Sequence, residues 1–135
     1  MDMFETRRKI RANSDLVVQQ LGPQSGIPFG LNRASVEWID GFIERQRQRP
    51  ELDDQARSGI VNRLGSFLGE CLVANTKGAW AWVESQGTVG VQFPGGNCAF
   101  PFAKVLKQFE NGRAGGDSTL GLFDTVLAMT AAGEL

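Results

Sequence analysis

Residues 60–72 read Ile60-Val-Asn-Arg-Leu-Gly-Ser-Phe-Leu-Gly-Glu-Cys-Leu72, and this stretch decides how the chain folds. Its apolar residues recur every three or four positions, which predicts the buried stripe of a long helix that begins at a cap, Asp53 or Asp54. Glycine destabilises a helix interior by about 0.8–1.0 kcal/mol relative to alanine, so Gly65 and Gly69 need a structural reason. We expect another backbone to approach their shared flank closely, with this helix at the centre of the core.

Three short alternating segments follow this helix. Residues 79–84 alternate tryptophan with alanine or valine, residues 88–93 alternate apolar with small or polar side chains, and residues 98–100 suffice for a third strand. The turn-forming runs Ser85-Gln86-Gly87 and Pro94-Gly95-Gly96-Asn97 separate them. Such short connections predict a three-stranded antiparallel meander.

Four further helices are predicted from apolar spacing, caps and glycine or proline stops. Their predicted starts are Ser14, Asn32 or Ser35, Pro101, and Asp117 or Ser118, and their predicted ends include Gly22-Pro23, Pro50 and Gly112. The basic segment 1–13 is predicted to be a flexible tail. N-terminal helices, a meander and two C-terminal helices predict an α+β fold with the helices packed on one face of the sheet, in a single domain over residues 1–135.

The composition is that of a globular chain with almost no net charge. Fourteen basic and fifteen acidic residues give a formal charge of −1, so neither nucleic acid nor a membrane surface is expected as a partner. No apolar run reaches the roughly 18 residues of a membrane span, and the first residues lack the apolar region of a signal peptide, which predicts a cytoplasmic protein. In a reducing compartment Cys71 and Cys98 are expected to be free thiols.

Histidine is absent from all 135 residues, which removes the commonest general base and the commonest metal ligand. No cysteines or carboxylates are spaced to hold a metal, so neither a metal nor a cofactor is expected. Cys71 lies in the buried stripe, where its thiol pKa should rise, which leaves Glu70 and Cys98 as the groups on which an enzyme would depend. An ion pair with Arg63 would give Glu70 a structural role instead of a catalytic one. The chain is therefore predicted not to be an enzyme.

Trp80 and Trp82 share one face of the first strand, while small or β-branched residues share the other. If the tryptophan face points away from the helices, two neighbouring indoles form an apolar patch suited to a protein partner; if it points inward, they belong to the core. Packing of the small face against the glycine flank of the central helix would favour the exposed arrangement.

A different arrangement would bind a small molecule or an anion. Lys104 on the fourth helix, Arg63 and Glu70 on the central helix, and the Gly95-Gly96 turn are its candidate residues, because backbone amides near a helix start favour anions. Neither of the common phosphate-binding glycine strings occurs, so a plain turn is the alternative explanation for the two glycines.

Three strings of the chain resemble a family of small, uncharacterised bacterial proteins. They are Leu64-Gly-Ser-Phe-Leu-Gly-Glu-Cys-Leu72, Phe93-Pro-Gly-Gly-Asn97, and Phe100-Pro-Phe-Ala-Lys-Val105 with Glu110-Asn-Gly112. The resemblance covers about residues 36–123 and implies a bacterial origin, without an activity or catalytic residue to carry over. The layout with helices first also loosely resembles small immunity proteins that neutralise toxins.

These observations favour a non-enzymatic, cytoplasmic bacterial protein that acts as a protein–protein interaction module. A toxin-neutralising immunity protein and a small-molecule or anion-binding protein are the alternatives, and a homodimer is left open. The predicted binding residues are Trp80, Trp82, Arg63, Glu70 and Lys104.

Overall fold

The computed structural model describes residues 2–135, which form α-helices packed on a single antiparallel sheet. The helices are α1 (Met3–Ser25), α2 (Arg33–Gln46), α3 (Asp54–Asn75), α4 (Pro101–Asn111) and α5 (Thr119–Ala131), with a 3-10 turn over Arg113–Gly115. The strands are β1 (Ala79–Val83), β2 (Thr88–Gln92) and β3 (Cys98–Ala99). The predicted α+β class and the order of its elements are confirmed.

The sheet is a meander in the order β1-β2-β3. Residues directly opposite each other in antiparallel strands share a face, and the pairs Trp80 with Val91, Trp82 with Val89, and Val91 with Ala99 define one apolar face. Trp80, Val91 and Ala99 are buried. The tryptophan face therefore lies against the helices, and the alanine-rich face of β1 points away from them.

Helix α3 runs through the centre of the core, as its sequence pattern predicts. Five of its apolar side chains are at most 1% exposed: Leu64, Phe67, Leu68, Cys71 and Leu72. A Cβ added at Gly65 would lie 2.9 Å from the Cα of Phe102, so a neighbouring backbone does approach this flank. At Gly69 the neighbour is the indole of Trp80, which a Cβ would meet at 2.0 Å. The expected packing of small β1 residues against this flank is wrong, because the glycines make room for aromatic rings.

The N-terminal segment is helical, which corrects the prediction of a flexible tail over residues 1–13 and a helix start at Ser14. Met1 lies outside the described residues, and Asp2 caps α1 with its carboxylate. Ile10 is 5% exposed and lies one turn before the buried Ser14 on the side of α1 that faces the core. The basic residues around Ile10 conceal this apolar position in the sequence.

Helix α1 also continues past its predicted stop at Gly22-Pro23. Both residues belong to its last turn, and the helix ends at Ser25, followed by the cap residue Gly26, whose φ of 70° is left-handed. A proline so close to the end removes one hydrogen bond without breaking the turns that precede it. The helix therefore carries Val17 and Leu21 onto the core.

Candidate functional site

Trp80 is a core residue whose indole is fixed by a carboxylate. It is 7% exposed, and its Nε1 donates a hydrogen bond to Oε2 of Glu70 at 3.1 Å. The other oxygen of Glu70 lies 3.9 Å from Nε of Arg11. No Arg63–Glu70 ion pair forms in the described chain; these residues are two helical turns, about 10 Å, apart along α3. Glu70 thus joins α3 to β1 and α1.

Trp82 occupies the same face as Trp80 but is less enclosed. It is partly buried and lies directly opposite Val89 across the β1–β2 ladder. With Trp80 in the core, the two indoles do not form the exposed patch that the sequence left open. The question of which way the tryptophan face points is answered: it points inward.

The backbone amides and carbonyls of these two tryptophans point within the plane of the sheet, toward the free edge of β1. The amide of Phe93 donates to the carbonyl of Asn97 at 2.8 Å, so Phe93 and, two residues earlier, Val91 direct their backbone groups at β3. Backbone direction alternates along a strand, so Gln92 turns toward its partner Ala79 in β1. The same alternation along β1 turns Ala79, Ala81 and Val83 toward β2 and turns Trp80 and Trp82 away from it.

The opposite end of the hairpin gives the same assignment of backbone groups that face β2 and groups that face away from it. The carbonyl of Val83 accepts hydrogen bonds from Gln86 at 3.1 Å and from Gly87 at 2.9 Å, so it faces the turn that leads into β2. Its neighbour Trp82 must therefore face outward. Two independent ends of the ladder assign the outward amides and carbonyls to Trp80 and Trp82.

This edge makes no backbone hydrogen bonds to any other part of the described chain, although helix α1 packs near β1. β1 is the outer strand of the sheet, and within residues 2–135 the backbone of Ala79–Trp82 makes no hydrogen bond beyond the ladder with β2. Natural sheets block such edges with lysine, proline or bulges, and Ala79–Val83 contains none of these residues. The edge offers four backbone groups to an incoming strand.

Lys104, Arg63 and the Gly95-Gly96 turn do not form one polar site. Nζ of Lys104 lies 3.1 Å from Oδ1 of Asp117, whose other oxygen accepts from Asn111 at 2.9 Å. These bonds, led by that from Asn111, lower the pKa of Asp117 below its usual value. Arg63 instead borders a shallow apolar depression, and Gly95 lies against Leu135. The anion-binding set predicted from the sequence is spread over separate surfaces.

A buried carboxylate, Asp40 on α2, organises the other end of the molecule. Its side chain is 1% exposed and accepts from Oγ of Ser118 at 2.6 Å, from the amide of Leu120 at 3.1 Å, and from two guanidinium nitrogens of Arg113. Burial alone would raise the pKa of Asp40, but these hydrogen bonds outweigh burial and lower it. Asp40 thereby ties α2 to the start of α5.

Gln108 completes this polar cluster from α4. It is fully buried, its Nε2 donates to Glu44 at 3.0 Å, and its Oε1 accepts from the amide of Thr119 at 2.8 Å. Glu44 also accepts from the amide of Arg113 at 3.1 Å. Each of these polar groups is used to join helices, which gives the cluster a structural role.

The two cysteines are free thiols in different surroundings. Cys71 is buried in α3, and burial raises the pKa of its thiol, as predicted. Cys98 is half-buried on β3, where its sulfur lies 3.7 Å from the carbonyl of Gly96.

A cleft of about 380 Å³ opens between α1, α3, α4 and the start of β2. Its lining includes Lys9, Ile10, Asn62, Ser66, Val89 and Phe102. In the described part of the chain, neither a hydrogen bond nor an ion pair engages the side chain of Lys9. The cleft thus combines one cation, which interacts with Glu5 only through its charge, with walls that are part apolar and part polar.

Two kinds of feature are absent from the residues that the structure describes. Over residues 2–135, no three His, Cys, Asp or Glu side chains are grouped so that they could hold a metal ion. None of the helices over the same range has both the length and the apolar character needed to cross a lipid bilayer.

Comparison with known proteins gives no relative: no family model, no curated protein and no solved structure matches the chain. The resemblance to small bacterial proteins and to immunity proteins therefore stays a prediction.

Proposed function

We propose that this protein is a non-enzymatic interaction module that binds a protein partner by adding a strand to the free edge of β1. The observation that carries this proposal is the outward direction of the backbone groups of Trp80 and Trp82 on an edge that is not hydrogen-bonded within the described chain. Strand addition of this kind uses main-chain hydrogen bonds for affinity and alternate side chains for specificity. The binding role predicted for these tryptophans is thus carried by their backbone, while the indole of Trp80 supports the fold.

The surroundings of the edge support the same proposal. Small side chains at Ala79 and Ala81 leave room for an incoming strand, and the carboxylates of the buried Asp40 and the half-buried Glu70 are engaged in holding elements together. We further propose a reducing compartment such as the bacterial cytoplasm, which is consistent with two free thiols.

Selection of random linear peptides of about 12 residues on the immobilised protein tests this function. We expect enrichment of peptides with alternating apolar residues, the pattern of an added strand. Ala81→Lys places a charge at the centre of the edge and should weaken their binding by at least about tenfold. Gln92→Lys is the matched control, since it adds the same charge to the same sheet face on the central strand, and it should leave binding unchanged.

No enrichment above background, or equal loss in both variants, would count against the proposed function. Thermal unfolding of each variant shows whether it is folded before binding is compared.

The cleft beside Lys9 supports a second candidate function, the binding of a small organic anion. A volume of about 380 Å³ lies within the usual range of ligand sites, about 300–1,000 Å³. The side chain of Lys9 supplies the charge, and Ile10, Val89 and Phe102 supply apolar walls. This site differs from the anion-binding set predicted from the sequence.

Octanoate and octylammonium, which share an apolar chain and differ in the sign of the charge, test this second function. Octanoate should raise the melting temperature, because a ligand that favours the folded state stabilises it, and octylammonium should not. Lys9→Glu should abolish the shift, and Arg7→Glu, an equal charge change on the same helix outside the cleft lining, should preserve it. A shift that is lost equally in both variants indicates nonspecific attraction to α1 and contradicts the site.

A further inference from the structure

The sequence of the free edge is symmetric about its centre. β1 reads Ala79-Trp80-Ala81-Trp82-Val83, so reversing the strand exchanges the two tryptophans and replaces alanine by valine at its ends. An antiparallel copy of β1 therefore presents nearly the same row of side chains as β1 itself. Isologous dimers require this kind of self-complementary surface.

The direction of the backbone groups agrees with this symmetry. If a two-fold axis passes through Ala81, Trp80 lies opposite Trp82 of the second copy, and these are the residues whose amides and carbonyls point outward. Each of the two equivalent pairs can exchange two hydrogen bonds, which satisfies the free groups of both tryptophans. The two Ala81 residues then form the closer, non-hydrogen-bonded pair, with Cα atoms about 4.5 Å apart, where small side chains fit.

The charges that flank β1 do not oppose this arrangement. Lys77 precedes the strand and Glu84 follows it, both are exposed, and neither has an ion-pair partner among the described residues. Antiparallel pairing about Ala81 places Gly78 opposite Glu84 of the second copy, with Lys77 in the next position. Lys77 then lies opposite Ser85, and because side chains alternate along a strand, Lys77 and Glu84 of the second copy lie on opposite faces of the sheet. No like charges face each other across the pair.

We propose that the partner of the β1 edge is a second copy of this chain, which joins two three-stranded sheets into one continuous six-stranded sheet. This proposal rests on the proposed function, because it names the partner of the same edge. A strand edge of five residues is small beside the roughly 1,200–2,000 Å² of a standard interface, so the dimer should dissociate on dilution.

Sedimentation velocity over a concentration series tests the proposal on the full chain. The protein should pass from monomer to dimer as concentration rises, and Ala81→Lys should weaken the dimer at least about tenfold, because two lysines meet at the axis. An equimolar mixture of the Ala81→Lys and Ala81→Glu proteins should restore association, since opposite charges then face each other. Gln92→Lys, one strand away, should associate as the unmodified chain does.

Amide hydrogen exchange gives a second measurement that does not depend on a variant. The amides of Trp80 and Trp82 should exchange freely in dilute solution and become protected in the dimer. The amides of Ala81 and Val83, which face β2, should be protected at both concentrations.

A chain that stays monomeric, or a mixture of the two charged variants that fails to associate, overturns the second copy as partner. If selected peptides still bind the edge and lose binding in the Ala81→Lys protein, the proposed function stands and only the identity of the partner fails. If neither peptides nor a second copy bind, both proposals fail.

Discussion

Replacing Gly69 by alanine should destabilise the fold by about 2–3 kcal/mol, although alanine is the better helix former by about 1 kcal/mol. The added Cβ would lie 2.0 Å from the indole of Trp80 and 3.1 Å from Pro101, in a buried region where neither ring has room to move. Gly65→Ala should cost at least as much, because its Cβ would meet the backbone of Phe102 at 2.9 Å. Either change should lower the melting temperature by about 10 °C.

Gly59→Ala is the matched control on the same helix. A Cβ there meets nothing within 4 Å, so only the helix preference remains and the variant should be more stable by about 0.5–1 kcal/mol. Urea unfolding of the three variants measures the difference. Equal effects at all three glycines would show that close packing of rings against α3 is not what these positions require.

Asp40→Asn should destabilise the protein by about 3 kcal/mol at neutral pH, because it removes a buried charge to which four residues donate hydrogen bonds. An amide in place of the carboxylate presents hydrogen atoms to donors at Arg113, Ser118 or the amide of Leu120. The start of α5 should loosen first. Asp124→Asn removes an exposed pair with Arg33 and should change stability by less than about 1 kcal/mol.

The same carboxylate gives stability a defined dependence on pH. Hydrogen bonding holds the pKa of Asp40 below its usual value of 3.8 in the folded chain, so the unfolded chain takes up the proton first as pH falls. Its contribution is complete above the unfolded pKa and is lost as the pH falls below 3.8 through the folded pKa. Urea unfolding between pH 7 and pH 3 should show a shallower loss for Asp40→Asn than for the unmodified chain. Parallel curves would show that Asp40 is not the group responsible.

Elements whose determinants are local could be predicted from the sequence. Asp53 and Ser118 cap α3 and α5, and Pro101 begins α4, because caps and a first-turn proline act within one turn. The meander followed from alternation and turn residues for the same reason. The start of α1 was missed because Ile10 is a single apolar position among basic residues, and a helix can bury one such residue when its neighbours remain solvated.

The candidate site depended on contacts that no local pattern contains. Alternation in β1 separates two faces but does not tell which face is covered by helices. The tryptophan face is covered because the absence of a side chain at Gly69 leaves space for the indole of Trp80. Asp40 looked like a solvated residue because its partners Arg113 and Ser118 are 73 and 78 positions away in the chain. The outward direction of the amides and carbonyls of Trp80 and Trp82 could be assigned only from the register of all three strands.

Trp80 combines two roles in one residue, since its indole is locked beside Glu70 while its amide and carbonyl belong to the strand margin. That margin is consequently pre-organised. Its conformational entropy is lost when the core forms, so ordering the margin adds no further cost when another strand binds. Fraying there would require withdrawing an aromatic ring from the protein interior. Under the proposed strand addition, the binding edge would therefore be as rigid as the fold itself, and binding would be coupled to global stability.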